Sequence, residues 1–170
     1  MASSKKNLSA YDETGIYINN PNTPVKIGIA VSEWNSEITS ALAKGAVDTL
    51  KKYGFTDKDI IIKAVPGSFE LPLAADYLIK YANTEAVICL GCVIQGETRH
   101  FDFVCQGVTQ GIMNIMNKYE VPVAFGVLTT QNQQQALDRA GGKHGNKGIE
   151  AAVAVLKMLE LKNCLSSKCK

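Results

Sequence analysis

Apolar residues along this chain switch repeatedly between two spacings. Val25-Lys26-Ile27-Gly28-Ile29-Ala30-Val31 has the pattern of a strand. Ser36 to Tyr53 then sets Ile38, Leu42, Ala46 and Leu50 near one helical face and stops at Gly54. Asp59 to Val65 predicts a second strand, closed by Pro66-Gly67, and Phe69 to Tyr81 its helix. Ala86 to Ile94 is a third strand, followed by a helix from about His100 to Tyr119. Val121 to Leu128 is a fourth. Two helices close the pattern, about Asn132–Ala140 and Asn146–Leu161, parted by Gly141-Gly142-Lys143-His144-Gly145.

Strands that alternate with helices call for a parallel sheet covered on both faces. The expected fold is therefore α/β, a three-layer α/β/α sandwich around a central four-stranded parallel sheet. Right-handed crossovers leave few topologies, and a flavodoxin-like order fits. Residues 1–24 show neither period and predict an N-terminal arm ending in Asn20-Pro21-Asn22-Thr23-Pro24. Its Gly15-Ile16-Tyr17-Ile18 segment could pair with a neighbouring sheet edge. The domain proper spans 25–161, and 162–170 are expected to form a frayed C-terminal tail.

Composition narrows the class. A chain of 170 residues, 46% hydrophobic and 20% charged, can bury one substantial core. A net charge of +2, without a Lys/Arg block or aromatic RNA signature, gives no reason to expect a nucleic-acid surface. No apolar run approaches the roughly 20 residues that cross a bilayer, and no apolar h-region follows Met1 to Lys6. Five cysteines cannot all pair within one chain. Cys89 and Cys92 form a C-x-x-C, but inside an apolar run rather than at a helix start, and no zinc set completes it. Buried reduced thiols and a cytoplasmic location are expected.

In such sheets ligands bind beyond the carboxyl ends of the strands. The segments there are Ser32-Glu33-Trp34-Asn35, Pro66-Gly67-Ser68-Phe69-Glu70, Gly96-Glu97-Thr98-Arg99-His100 and Thr129-Thr130-Gln131-Asn132. Gly96-Glu97-Thr98 enters a helix, so its N–H groups can cradle an anion, or Thr98 simply caps the helix. His100 is one of two histidines, the side chain suited to proton exchange near neutrality, although on its own it reads more readily as a surface histidine or one hydrogen-bonded to the backbone. Trp34, the sole tryptophan, can stack on a heterocycle with Asn35 supplying a hydrogen bond, or fill a core or interface. Glu70 can accept from ligand hydroxyls or merely favour a helix start. Arg139 and Lys147 flank the glycine-rich break as phosphate ligands or solvated charges, and Phe125 alone reads as core.

Taken together these residues resemble the lumazine synthase family. The matching features are Trp34-Asn35, Val65-Pro66-Gly67-Ser68-Phe69-Glu70-Leu71-Pro72 and Gly96-Glu97-Thr98-Arg99-His100-Phe101-Asp102. Phe125-Gly126-Val127-Leu128-Thr129-Thr130, Gln135 to Gly141 and Gly145-Asn146-Lys147-Gly148 follow in family order across about Lys26 to Leu161. The resemblance implies condensation of 5-amino-6-(D-ribitylamino)uracil with 3,4-dihydroxy-2-butanone 4-phosphate, without metal or organic cofactor. It implies His100 as the proton-transfer residue and Trp34 as the stacking ring. Ser68, Phe69 and Glu70 then hold the pyrimidine and ribityl chain, and Cys92, Val93 and Ile94 line the ring. Glu97 and Thr98 offer N–H groups to the phosphate, and Arg139 supplies its positive charge. Phe125, Arg139 and Lys147 come from the adjacent subunit of a homo-oligomer.

Three positions depart from the common pattern: Trp34 where Phe is frequent, Glu97 where Ala is frequent, and Asp138 where Glu precedes the Arg. The family is built on pentamers, some packed twelve to an icosahedral shell. The short break Gly141–Gly145 favours a shell here. Two other functions fit the same fold: a flavin or ribityl-ligand binding module without turnover, and a structural shell protein. Proton exchange at His100 beside an anion cradle is what a passive binder does not need.

Overall fold

The computed structural model describes residues 10–167. Residues 1–9 of the expected arm and 168–170 of the expected tail lie outside them. Strands β1 (Ile27–Ser32), β2 (Ile60–Val65), β3 (Ala86–Ile94) and β4 (Val123–Thr130) form one all-parallel sheet in the order β2-β1-β3-β4. Helices α1 (Ser36–Lys52), α2 (Leu71–Ala82), α3 (His100–Tyr119) and α5 (Lys147–Ser167) cover it, with a short α4 (Gln133–Leu137) before the last. Successive strand residues point to opposite faces, so each strand feeds two cores. Ile27, Ile29, Ile88 and Leu90 pack with α1 and α5, while Ala30, Val87, Cys89, Val123 and Val127 pack with α2 and α3. This is the three-layer sandwich that the alternating pattern predicts.

Local chemistry moves several boundaries. The helix expected from Phe69 starts as a 3₁₀ turn, Ser68–Glu70, and becomes α-helical at Leu71 with Pro72 in its first turn. β4 starts at Val123, after Pro122, and the β-branched pair Thr129-Thr130 carries its pairing on to Ile94. The helix expected over Asn132–Ala140 is only Gln133–Leu137. The glycine-rich break is a hairpin, β5 (Ala140–Gly142) against β6 (Gly145–Asn146), made possible by Gly141 and Gly145 at φ of 116° and 85°. The tail expected to fray from Lys162 continues α5 to Ser167. Among the cysteines, Cys89 and Cys92 are buried as expected, but Cys164 is exposed on that extension.

Two polar devices lock helices together. Asn146 is buried before α5; its Oδ1 accepts from Gly148 N–H at 2.8 Å and its Nδ2 donates to the Ala41 carbonyl of α1 at 2.9 Å. A Cβ on Gly148 would stand 1.9 Å from the Leu42 carbonyl oxygen, so the two helices cross in direct backbone contact. On the other face, buried Asp76 of α2 accepts from Lys118 Nζ at 2.9 Å and the Tyr119 hydroxyl at 2.7 Å, both on α3, and pairs with Lys80 at 2.9 Å. The segment Gly15–Ile18 lies on its own chain. Tyr17 N–H donates to the Leu156 carbonyl, Asn19 N–H to that of Tyr53, and Ile16 joins the core.

Lys80, then Lys118 and Tyr119, hold the Asp76 carboxyl far below the usual carboxylate range. The group is depressed on folding, so its stabilisation is present above the unfolded value of about 3.9 and is lost as pH falls towards the folded one. Asp76→Asn should therefore cost about 1–2 kcal/mol in chemical denaturation at pH 7, discounted because both lysines are half exposed. The gap between variant and parent should stay level down to about pH 5 and close only in stronger acid.

Candidate active site

The carboxyl edge of the sheet is stepped. The β1–β3 pairing stops at Val31 against Leu90, whereas β3 runs on beside β4 until Ile94 meets Thr130. Cys92, Val93 and Ile94 thus overhang β1 with β4 on one side and open space on the other. A cavity of about 620 Å³ fills that step. Its walls are Trp34 and Asn35 from the β1–α1 loop, Gly67 to Glu70, Cys92 to Ile94, and His100, Phe103 and Val104 from α3. Of the candidates taken from the sequence, Trp34, Asn35, Ser68, Phe69, Glu70, Cys92, Val93, Ile94 and His100 meet there.

Close packing sets the walls. A Cβ on Gly91 would meet Ser68 Oγ at 2.4 Å, so only glycine in β3 lets the Ser68 turn lie flat against the strand. A Cβ on Gly107 would stand 2.5 Å from the Phe69 ring, which seats that ring on α3. Trp34, Phe69 and Phe103 are all largely solvent-facing, at 72%, 60% and 64% exposure, and together flank the cavity with flat apolar surface. Large exposed rings around a concave, mostly apolar space suit a planar heterocycle. Glu70 turns one oxygen, Oε2, back to the Gly67 N–H at 3.0 Å, which fixes the carboxylate at the rim. Burial pushes the Cys92 thiol up to about 11, so at neutral pH it is wall and not nucleophile.

His100 is exposed at the first position of α3, its N–H donating to Thr98 Oγ1 at 3.4 Å. Just before it, Gln95 N–H goes to the Thr130 carbonyl at 2.8 Å. Among the described residues the N–H groups of Gly96, Glu97, Thr98 and Arg99 have no partner. Gly96 to Thr98 lead into α3 and Arg99 is its N-cap, a place where unpaired N–H groups can receive an anion. Glu97 and Thr98 lie on this turn, beside the cavity rather than in its wall. The Arg99 side chain is turned to Asp102, Nε to Oδ2 at 3.4 Å.

Phe125, Arg139 and Lys147 do not reach this cavity. Phe125 sits on the edge strand β4, opposite Cys89 and partly exposed. Arg139 Nη1 donates to the Gln135 carbonyl at 3.0 Å, and Lys147 pairs with Glu150. Asp138, which precedes the arginine, pairs instead with Lys143 at 3.0 Å. Gln134 and Lys143 hold its carboxyl below the usual range. Among the described residues the cavity wall contains no Lys or Arg. Gly67 belongs to a rim segment read from the sequence, but Phe103 and Val104 were missed; they lie three and four residues after His100 and so share its helical face. Among the described residues no three His, Cys, Asp or Glu side chains gather as metal ligands would, and no helix is long and apolar enough to cross a membrane.

Comparison with known proteins gives this site a context. The family model for 6,7-dimethyl-8-ribityllumazine synthase matches residues 24–163. A protein of that name from Cytophaga hutchinsonii is 55% identical across 94% of this chain and 98% of its own length. Its namesake from Porphyromonas gingivalis is 52% identical across 95% and 98%, and one from Flavobacterium johnsoniae 52% across 93% and 82%. The match runs through every wall of the cavity and on past Lys147, and the chain belongs to the 6,7-dimethyl-8-ribityllumazine synthase family.

Proposed function

We infer that this protein is a transferase of riboflavin biosynthesis. It condenses 5-amino-6-(D-ribitylamino)uracil with 3,4-dihydroxy-2-butanone 4-phosphate to 6,7-dimethyl-8-ribityllumazine, releasing phosphate and water. Beyond family membership, one observation carries the reading: an aromatic-flanked cavity opens beside His100 and four free N–H groups. A flat ring, a proton carrier and an anion seat are what this reaction brings together.

The strand end suits the pyrimidine. Consecutive strand residues present their N–H and C=O groups to alternate sides. Cys92 turns its carbonyl to Asn35 on the β1 side, and Gln95 its N–H to Thr130 on the β4 side. Ile94 therefore faces the side that β1 has vacated and offers one donor and one acceptor to the edge of the ring. Trp34 stacks on the ring, while Ser68, Phe69 and the outer oxygen of Glu70 meet the ribityl hydroxyls. The 5-amino group attacks the ketone and an imine forms with loss of water. Phosphate leaves, and the ribityl-bearing nitrogen closes the second ring with loss of a further water. His100 moves the protons in these steps. The N–H groups of Gly96 to Arg99, with Glu97 and Thr98 at their centre, hold the phosphate through the backbone, which is how the Glu97 side chain is tolerated.

A phosphorylated substrate meets no cationic side chain in this wall. Arg139, Lys147 and Phe125 complete the site from a neighbouring copy, Arg139 on the phosphate and Lys147 near the heterocycle. The assembly is built of pentamers. The two-residue turn of the β5–β6 hairpin carries no insertion to obstruct a shell of twelve. The protein works in the cytoplasm.

Mixing both substrates with the protein should give lumazine fluorescence above the uncatalysed rate; its absence would leave only a ligand-binding module. His100→Ala should lower the saturated rate by roughly 10²-fold or less, at the low end for acid–base catalysis. Arg139→Ala should raise KM for the butanone phosphate strongly, through loss of a charge-assisted contact. Co-assembling Arg139→Ala and His100→Ala chains should recover activity above either variant alone, because some sites then join two intact halves. Light scattering should give one species of shell size, and a single pentamer-sized species would defeat the shell.

A further inference from the structure

Asn35 occupies a backbone conformation that few residues accept. Its φ and ψ are 58° and 47°, left-handed, at the position just before α1, and its carbonyl accepts from Ile38 and Thr39 N–H at 2.9 and 3.1 Å. Asparagine is among the few non-glycine residues that tolerate this region. Glycine would serve the backbone equally well, so the side chain has a separate task. Its Nδ2 donates to the Cys92 carbonyl at 2.9 Å.

The stepped sheet explains why that carbonyl needs a donor. β1 presents alternate N–H groups to its two neighbours, and those of Ile27 and Glu33 go to Asp59 and Val65 on the β2 side, both at 2.8 Å. Continued in register, the Trp34 N–H would face β3 and meet Cys92. Instead the chain swings over β2, and Trp34 N–H donates to the Pro66 carbonyl at 3.3 Å. Cys92 thereby loses its main-chain partner at the point where β3 begins to overhang. We propose that Asn35 is a positioning residue: its amide replaces the missing strand donor, ties the β1–α1 loop to the overhang, and so holds the Trp34 ring across the cavity from Cys92–Ile94. This rests on Trp34 being the stacking ring of the proposed reaction.

One of the two Nδ2 protons is thereby committed within the chain, and it is through this bond, by way of Trp34, that Asn35 acts in the proposal. The Trp34 indole has little else to hold it. It is 72% exposed, and its Cδ1 lies 3.8 Å from where a Cβ on Gly67 would stand.

The test uses the sole tryptophan as its own reporter in the full-length, ligand-free protein, where no assumption about the reaction enters. Asn35→Gly keeps the left-handed backbone and removes the amide. Asn35→Asp keeps size and backbone preference but sets a carboxylate oxygen against the Cys92 carbonyl. Both should lower Trp34 fluorescence anisotropy and increase its quenching by acrylamide, the Asp variant more. In turnover, KM for the ribitylaminouracil should rise on the order of fivefold in Asn35→Gly, the worth of one neutral hydrogen bond, with kcat changing less. Unchanged anisotropy and quenching in both variants would overturn the proposal, even if neither substrate were turned over. A raised KM with Trp34 signals like the parent would also overturn it and make Asn35 a direct ligand donor. If Asn35→Gly fails to fold, the Asp variant carries the same readouts.

Discussion

A parallel sheet whose strands end at different heights is the constraint on which this site depends. Two strands of equal length would pair to the end and leave no room, whereas here β3 and β4 outrun β1 and expose one side of Cys92–Ile94. Every polar backbone group laid bare by the step needs a partner or a use. Asn35 supplies one, Thr130 another, and the groups that remain are those facing the cavity and the start of α3. The cavity, the aromatic rim and the row of unpaired N–H groups before α3 all follow from this overhang.

Small residues then decide how near the walls come. Gly91 and Gly107 are where Ser68 and Phe69 settle, and neither contact survives an added methyl in place. In α3 the glycines recur four apart, Gly107 and Gly111, and the second lies so close to Pro72 that a Cβ there would stand only 2.6 Å from its ring. The helix face that carries His100 and Phe103 is thus held close to the Ser68–Pro72 segment by absent side chains rather than by any strong bond. Dispersion contacts of this kind are individually weak but hold position well when dense.

The alternation of periods was enough to show the layers, and β3 and α3 fall where their pattern puts them because both are long, strongly patterned and bounded by turn residues. The β5–β6 hairpin was not legible, since a glycine cluster marks a break without saying how the chain crosses it. The helical extension past Leu161 was missed because Leu165, the one large aliphatic residue in it, is 60% exposed and too isolated to show a helical period. At the site, residues beside the strand ends were legible because parallel sheets place ligands there. Phe103 and Val104 were not, for their spacing from His100 is also that of an ordinary helix face. The sequence also could not reveal that one Asn35 amide proton and one Glu70 oxygen are spent on the backbone, which is a matter of coordinates, not of residue type.

α3 carries the site at one end and the Asp76 network at the other, with 20 residues between. At a rise of 1.5 Å each, that is about 30 Å. Electrostatic influence across such a span is largely screened in physiological salt. The same helix therefore separates anchorage from chemistry. Substitutions at the rim can change which ligand is accepted without loosening the α2–α3 junction, and reinforcement of that junction can raise endurance without stiffening the rim. In a molecule whose marginal stability would otherwise tie the two together, that distance leaves the active end room to diverge.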